Sequence, residues 1–443
     1  MNEKQQDEII NKVMASSKEW YEDGKINETK FVVVFARSMS LKYINNSFYY
    51  YDGIVSDNDL KNTIFLIIAD TIKVRVSNVI NNIINSLENY CYIPNYKPQE
   101  NIINVSNGTI TIKNRKIDFN NDKIFSVNRL NVNYINSEDE PTEWLNYLNQ
   151  LLNEQDIDIL QEYIGYCLIP SLYAQKSLFI IGKGGEGKSV LGKVLVDIFG
   201  NSLVVDKIHS LFDGKFGLTN IDMKLIILDD DLMGYKLKDT ALFKSLITGG
   251  KISYEKKFKD KTEIEPYAKF LALGNTMLQS CNDESDGFKR RLLILLTKDK
   301  DKTRKDNPYL VKQLIKEKSL ILNWALKGLL RLINNDFEFS YSKEMEEKVE
   351  MLITNDNSKD ICDFLSDEEY VILGDSNFTS TKDIYNHFMK YCRINNLQEI
   401  NSSTFNKRLA SIHTRYNLQR GKSKIDNTNQ EIRGYIGISL TNQ

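Results

Sequence analysis

The chain has 443 residues, of which 41% are hydrophobic and 27% are charged, and 58 Lys and Arg against 60 Asp and Glu leave a net charge of −2. This length predicts two to four domains with separate cores, and the composition is typical of a soluble globular protein. No run of 18 apolar residues occurs, and the charged N-terminus has no apolar segment behind it. We therefore expect neither a membrane span nor a secretory signal.

The five cysteines are scattered along the chain without C-x-x-C spacing. This pattern favours reduced, buried thiols in a cytoplasmic protein over disulfides or a zinc site. The residues concerned are Cys91, Cys167, Cys281, Cys362 and Cys392.

Residues 1–100 are predicted to form a mostly helical region. The apolar run Lys30–Phe35 and two short aromatic strands around Phe48–Tyr51 interrupt the helical pattern. Isoleucines at helical spacing predict a helix within Leu60–Tyr90. We expect this region either to dock a partner such as a primase or to hold neighbouring subunits together.

Residues 101–173 are predicted to change from strands to helices. Short strands bounded by Asn and Gly turns are expected at Ile102–Val105, Gly108–Ile112 and Lys116–Phe119. A helical region begins around Glu140–Trp144, where a proline suits a helix start, and continues to Tyr173.

Residues 174–340 alternate apolar runs with helical patterns. This alternation predicts an α/β domain built on a parallel sheet with crossover helices. The helices of 301–340 complete it, and the charged residues 341–357 form a linker. The predicted strands are Leu178–Ile181, Leu203–Val205, Leu225–Leu228, Phe270–Leu273 and Leu292–Leu296.

Residues 358–443 are predicted to form a small separate domain. Three helices followed by two closing strands, Arg415–Gly421 and Gly434–Ile438, are typical of a winged helix-turn-helix. From Thr381 to Gln443 the chain has ten Lys and Arg against four Asp and Glu. Such a basic end suits either a nucleic-acid contact or an ordinary solvated surface. The candidate DNA contacts here are Arg415, Arg420, Lys422 and Lys424.

Gly182–Ser189 forms the full pattern G-x-x-x-x-G-K-[ST] between an apolar strand and a helical pattern. Glycines let successive backbone N–H groups turn toward a phosphate, and the following helix adds its positive N-terminal dipole. Lys188 can reach the β- and γ-phosphates, and the Ser189 hydroxyl can ligate Mg²⁺. An accidental glycine-rich turn is the alternative. We predict ATP and Mg²⁺ as cofactors, with ATP bound by Gly182, Gly184, Gly185, Glu186, Gly187, Lys188, Ser189 and Val190.

The run Lys224–Asp231 is an apolar strand that ends in three carboxylates, and it is expected beside the phosphate-loop strand. Carboxylates at this edge can hold magnesium and polarise the attacking water. We assign Asp229 to the metal and Asp230 to the water, with Asp231 as the substitute for either. A helix cap or a solvated turn is the alternative.

Two further patterns complete a candidate catalytic set. Asn275 follows the apolar strand Phe270–Gly274, where its amide could orient water against the γ-phosphate, although an Asn in a turn after a strand is common. Arg290 and Arg291 precede the last strand, and a guanidinium there could complete a neighbouring subunit's site. A pair of solvated arginines is the alternative.

Between the carboxylates and Asn275, residues 249–261 predict two short strands about a basic tip. Lysines contact DNA phosphates as mobile point charges, and Phe258 could pack on a sugar or base. An exposed hairpin without a ligand is the alternative. The candidate DNA contacts at this tip are Lys256, Lys257, Phe258 and Lys259.

The order of these motifs between Leu178 and Leu296 resembles superfamily 3 helicases of the phage/plasmid primase type, a branch that includes poxvirus-like replicative helicases. The Rep or primase-helicase proteins of staphylococcal pathogenicity islands and related mobile elements are similar. The resemblance covers roughly 45–440, with 101–173 similar to the collar or oligomerisation region of that branch and 358–443 to its winged-helix end.

The resemblance implies a hexameric AAA+ ring with ATP between subunits. It further implies that Lys256, Lys257 and Lys259 line a central channel around one DNA strand and that Arg290 or Arg291 is the arginine finger. Family members commonly have Asp-Glu or Glu-Glu where this chain has Asp229-Asp230, which leaves the split of roles open. No histidine lies before the motor, so we expect primase activity to be missing or supplied by a partner.

The leading hypothesis is an ATP-dependent replicative DNA helicase of a mobile element or phage. A second is an origin-binding initiator whose winged helix recognises duplex DNA and whose ATPase controls assembly. A third is a non-motor phosphate-loop NTPase, which the basic hairpin and the arginine pair disfavour.

Overall fold

The computed structural model describes most of the chain. The described residues are 3–50, 53–72, 75–122, 124–213, 217–234, 236–237, 240–255, 261–276, 279–280, 286–300, 303, 306–341, 358–424 and 431–441. Within these residues, no helix combines the length and the apolar character that a membrane crossing needs. Four cysteines lie in the described parts and none of these four is in a disulfide, whereas Cys281 lies outside them.

The N-terminal region combines helices with small antiparallel sheets. Its helices are α1 (Glu3–Ala15), α2 (Ser17–Trp20), α3 (Glu28–Met39), α4 (Asp57–Ile68) and α5 (Val76–Tyr90). Its strands are β1 (Tyr21–Glu22), β2 (Lys25–Ile26), β3 (Lys42–Ile44), β4 (Ser47–Tyr50) and β5 (Gly53–Val55).

The predicted interruption at Lys30–Phe35 is wrong, because this run lies inside α3. The Asn27 side chain accepts a hydrogen bond from the Lys30 N–H at 3.1 Å and so caps the helix. Phe31, Val34 and Phe35 then follow at helical spacing and are buried. Capping and tertiary burial therefore outweigh the strand preference of three consecutive valines.

The next region contains an antiparallel meander and two helices. The elements are β6 (Ile102–Val105), β7 (Gly108–Lys113), β8 (Lys116–Asn120), α6 (Thr142–Leu151) and α7 (Glu154–Cys167). The strands lie where the sequence predicted them. The helices begin as predicted, but α7 ends at Cys167 and does not continue to Tyr173.

Helix α7 packs closely on α13 (Lys318–Asn334) of the following domain. A Cβ at Gly165 would lie 2.4 Å from the Ala325 carbonyl oxygen, and one at Gly328 would lie 2.4 Å from the Gln161 carbonyl oxygen. The missing side chains therefore let the two helices approach backbone to backbone. Arg331 Nε also donates to the buried Glu162 carboxylate at 2.7 Å, which fixes the pairing of the two helices.

The central domain is mixed α/β around a five-stranded, all-parallel sheet. Its strands are β9 (Ser177–Ile181), β10 (Leu203–Val205), β11 (Ile226–Leu232), β15 (Lys269–Gly274) and β17 (Leu292–Leu296). Smaller strands are β12 (Lys236–Leu237), β13 (Ile252–Glu255), β14 (Lys261–Ile264) and β16 (Gln279–Ser280). The helices are α8 (Lys188–Phe199), α9 (Ile208–Asp213), α10 (Ala241–Thr248), α11 (Asp286–Lys289), α12 (Leu310–Lys316) and α13.

The order across this sheet is β10-β11-β15-β9-β17. Alternate residues of β9 bury against opposite faces, with Leu178 and Ile180 in one core and Phe179 and Ile181 in the other. One expectation fails here: the acidic strand β11 does not neighbour the phosphate-loop strand β9, because β15 lies between them. The carboxyl ends of β9, β11 and β15 nevertheless share one edge, since all three strands are parallel.

The C-terminal residues form a further unit with its own core. Its helices are α14 (Lys359–Ser366), α15 (Thr381–Ile394) and α16 (Ser402–Ile412), and its strands are β18 (Val371–Ser380), β19 (Gln419–Lys424) and β20 (Glu431–Leu440). The three helices lie where the sequence placed them. The first closing strand was predicted at Arg415–Gly421, but His413–Tyr416 is a 3-10 helix and the strand begins only at Gln419. The second closing strand, β20, contains the predicted Gly434–Ile438, and β18 is an addition. The antiparallel sheet has the order β18-β20-β19.

Lys269, at the start of β15, is a buried cation with a consequence for stability. It is 1% exposed, donates to the Ile169 carbonyl and lies 4.9 Å from the Tyr166 ring centroid. Burial lowers the pKa of Lys269 from 10.5 to about 7. Between these two values the unfolded chain binds the proton more than the folded chain does, so the free energy of unfolding should rise with pH.

We expect Lys269→Met to raise the free energy of unfolding at pH 7 by roughly 1 to 3 kcal/mol and to flatten its rise toward pH 10. Denaturant titrations at both pH values measure this. Lys193→Met, on an exposed position of α8, is the matched control and should change neither quantity. A destabilised Lys269→Met protein would contradict the prediction.

Candidate active site

The loop between β9 and α8 is shaped by its glycines. Gly184 and Gly187 both have a φ of +112°, in the left-handed region that L-residues with side chains rarely adopt. The Tyr147 hydroxyl donates to the Gly187 carbonyl at 3.1 Å, and the Thr297 N–H donates to the Ile181 carbonyl at 2.9 Å. The loop is thus held by α6 on one side and by the end of β17 on the other.

A cavity of about 640 Å³ opens over this loop. It joins the loop to the ends of β11 and β15, to α6 of the preceding region and to α12 of the same domain. From the predicted set it is lined by Gly184, Gly185, Glu186, Gly187, Lys188, Ser189, Val190, Asp230, Asp231 and Asn275. Sequence reasoning missed the other polar and aromatic walls, which are Glu143, Tyr147, Gln150, Asp306, Asn307 and Gln313. No local motif marks these residues, because they come from separate segments.

Lys188 and Glu186 form a buried ion pair within the loop. Lys188 Nζ donates to Glu186 Oε2 at 2.8 Å, and the Gly184 N–H donates to Glu186 Oε1 at 2.6 Å. Glu186 is 2% exposed and Lys188 is 8% exposed. Burial alone would raise the pKa of Glu186, but the hydrogen bonds from Lys188 and the backbone outweigh it and the pKa is lowered.

The three carboxylates of β11 occupy different environments. Asp229 is 1% exposed, and its carboxylate accepts from the Ile208 N–H at 2.9 Å and from the Asp231 N–H at 3.2 Å. Asp230 and Asp231 instead line the cavity. This placement favours Asp230 and Asp231 as the groups that face a bound ligand, with Asp229 as the residue that fixes the turn behind them.

Lys207 is a cation at this edge that sequence reasoning missed. Its Nζ lies 2.8 Å from Asp230 Oδ1, 3.6 Å from Asp229 Oδ1 and 4.0 Å from Asp231 Oδ2. Burial alone would lower the pKa of Lys207, but its hydrogen bond to Asp230 and the charges of the three carboxylates raise it. The only sequence signal was its position after an apolar strand, since parallel β10 and β11 end at the same edge.

Asn275 lies directly after β15, between the loop and the carboxylates. Its Nδ2 atom is 3.7 Å from the position that a Cβ on Gly184 would take. The neighbouring Thr276 hydroxyl accepts from the Gly234 N–H at 2.6 Å, which ties the ends of β15 and β11 together. The predicted Asn275 and the phosphate loop are therefore neighbours in space.

The arginine pair lies at the amino-terminal end of the parallel strands, whereas the phosphate loop follows their carboxyl end. Arg290 and Arg291 precede β17, whose first residue Leu292 is in register with Ser177 at the start of β9. Because β9 has five residues and each adds about 3.3 Å, the start of the strand lies roughly 16 Å from the phosphate loop at its end. Arg290 is exposed, whereas Arg291 is half-buried and donates to the Gly287 carbonyl. Only Arg290 is thus presented to a neighbouring molecule.

The predicted DNA contacts are only partly described. The residues between β13 and β14 lie outside the described residues, and they include Lys256, Lys257, Phe258 and Lys259. The two flanking strands themselves pair antiparallel. Arg415 and Arg420 are exposed, and Lys422 pairs with Glu431 at 2.8 Å. Lys424 ends the described part of β19, and its side chain is outside the described set.

The oxygen donors that line the cavity suit magnesium. Among the described residues, no group of three or more His, Cys, Asp or Glu is arranged to hold a metal by itself. Mg²⁺ usually needs no such cage, because it keeps several waters and binds one or two protein oxygens together with substrate phosphates. Ser189, Asp230 and Asp231 line one cavity and offer such oxygens.

Comparisons with known proteins match two separate parts of the chain. Residues 180–291 match a family of unknown function, DUF5906, and residues 354–440 match the Poxvirus D5 protein-like family. The second match supports the resemblance to the branch that includes poxvirus-like proteins. No curated protein matches the chain.

Among solved structures, two apo structures of the NrS-1 C-terminal region (residues 305–718) are similar. One is 13% identical, covers 93% of this chain and 100% of its own, and has a TM-score of 0.48. The other, an A form, is 13% identical with coverages of 91% and 98% and a TM-score of 0.46. A further A-form structure is 12% identical, with coverages of 76% and 95% and a TM-score of 0.38.

Proposed function

We propose that the chain is an ATP-dependent DNA helicase that works in replication as a homo-hexameric ring. The observation that carries the proposal is the cavity in which the phosphate loop, two carboxylates and Asn275 converge. This combination can bind a nucleoside triphosphate, hold its metal and orient a water molecule. The match of residues 354–440 to the Poxvirus D5 protein-like family adds support for a role on nucleic acid.

Each group in the cavity then has a chemical role. Loop N–H groups and Lys188 neutralise the phosphates, and Mg²⁺ held by Ser189 and an acidic side chain supplies charge stabilisation when bound. Asp230 or Asp231 accepts the proton of the attacking water, and Asn275 orients that water by donating and accepting together. The buried Asp229 keeps the end of β11 in place through its two backbone hydrogen bonds.

The position of Arg290 supports a site shared between subunits. Arg290 lies at the end of the strands that is opposite to the cavity of the same chain. In a ring where the start of β17 in one subunit faces the cavity of the next subunit, Arg290 would reach the phosphates bound there. A guanidinium spreads positive charge over the transferring group. Hydrolysis would then depend on assembly, as a ring motor requires.

DNA contacts are proposed at two places. The lysines between β13 and β14 in the sequence would contact the phosphates of one strand in the ring's channel. The basic strand β19, with Arg420 exposed at its start, would contact duplex DNA at an origin.

The proposal is tested by sizing and by strand separation. Light scattering with an ATP analogue and single-stranded DNA should give a hexamer, and DNA should stimulate hydrolysis. Lys257→Ala should retain hydrolysis but lose unwinding, because it removes a phosphate contact and leaves the cavity unchanged. Lys193→Ala, on the exposed side of α8, is the matched control.

The same experiment separates the alternatives. Hydrolysis and origin footprints without unwinding by the intact protein would favour the initiator. A stable monomer without DNA stimulation would favour a non-motor NTPase and overturn the ring.

A further inference from the structure

Glu186 places a carboxylate where the phosphate loop would receive its ligand. Its two oxygens accept from Lys188 Nζ at 2.8 Å and from the Gly184 N–H at 2.6 Å. Lysine and loop N–H groups are the donors that this loop pattern offers to phosphate oxygens. In this structure the side chain of Glu186 accepts from one donor of each kind.

The carboxylate is held there tightly. Glu186 is 2% exposed, and a Cβ on Gly182 would lie 3.0 Å from both Glu186 Oε1 and Lys188 Nζ. The pair is therefore closely packed on the Gly182 side, whereas on its other side it lines the cavity from which a phosphate would approach these donors. A bound phosphate would also bring negative charge next to a buried carboxylate, which is strongly unfavourable in a site shielded from water.

We propose that Glu186 is an internal competitor for the phosphate-binding donors, and that a nucleotide binds only when this carboxylate leaves Lys188. The inference rests on the proposed nucleotide-binding function and adds a selectivity to it. Small anions gain too little to displace the carboxylate. A nucleoside triphosphate also contacts the rest of the cavity and brings a metal, so it can displace Glu186.

Glu186→Gln tests this directly, because the amide keeps the size of the side chain and removes its charge. Calorimetric titration with pyrophosphate in the absence of any metal should show about tenfold tighter binding to the variant, the value of one charge-assisted hydrogen bond. Glu186→Ala, which removes the group, should shift affinity in the same direction. Glu154→Gln, an exposed carboxylate at the start of α7, is the matched control.

Tighter pyrophosphate binding by a folded Glu186→Gln protein supports the competitor role. Equal or weaker binding, with an unfolding midpoint like that of the wild type, overturns it and makes Glu186 a positioning residue. ATP with Mg²⁺ is titrated in parallel. If neither protein binds ATP, the proposed nucleotide-binding function fails, and this outcome is distinct from unchanged pyrophosphate affinity in proteins that do bind ATP.

Discussion

Lys188→Ala is expected to reduce ATP hydrolysis by roughly two to three powers of ten, the cost of removing one charged donor from a site where negative charge develops. The lysine lies at the start of α8, within the cavity that also contains Asp230 and Asn275. Phosphate release with and without single-stranded DNA measures the loss. Unwinding should disappear with it.

The structure adds a complication that the loop pattern alone would hide. Removing Lys188 takes away the cation that pairs with the buried Glu186, and breaking a buried pair costs about 3 kcal/mol or more of stability. Lost activity could therefore reflect unfolding. The double variant Lys188→Met/Glu186→Gln removes both charges and should recover stability without recovering hydrolysis.

Thermal unfolding and hydrolysis of the two proteins separate these effects. Lys193→Ala, on the same helix but exposed, should match the wild type in both measurements. Intact unwinding by a folded Lys188→Ala protein would show that ATP at this loop does not drive strand separation, and it would overturn the proposed ATP-dependent mechanism.

Arg290→Ala is the second substitution for which we expect a large loss of ATP hydrolysis. We expect it to lower DNA-stimulated hydrolysis by roughly three powers of ten, as expected when an arginine finger is lost, while leaving ATP binding unchanged. The cavity of the same chain lies at the other end of the strands, so we expect the substitution to lower hydrolysis in the site of a neighbouring subunit. Nucleotide titration and phosphate release measure the two quantities separately.

Mixing the Lys188→Ala and Arg290→Ala proteins tests directly whether Arg290 acts on a neighbouring subunit. A Lys188→Ala subunit retains Arg290, and an Arg290→Ala subunit retains its loop, so a mixed ring contains some complete sites. The mixture should hydrolyse ATP faster than either variant alone. Lys289→Ala, one residue away on α11, is the neighbouring control. Activity no greater than the sum of the separate proteins would show that Arg290 does not act across an interface.

Much of the site could be predicted from sequence because its parts are local. A strand, a loop with glycines at positive φ and a helix start fit within 23 residues, Ser177–Phe199, and backbone sterics alone determine which residue types fit. The carboxylate and Asn strands could also be recognised, since apolar runs that end in polar residues are typical of a parallel sheet edge.

Other features depended on how distant segments pack. The insertion of β15 between β9 and β11 is a matter of sheet order, which sequence periodicity does not encode. Likewise, α3 buries a run of valines that by composition suit a strand.

Sequence by itself therefore determined the loop, the residue types around it and the α/β alternation, because short-range sterics and hydrophobic periodicity fix these. Only the tertiary structure decided that Asp229 is buried while Asp230 faces the cavity, that Lys207 lies among the carboxylates, and that Glu186 forms a buried ion pair with Lys188. Those facts depend on distances between side chains, which are set only when the strands and helices have packed.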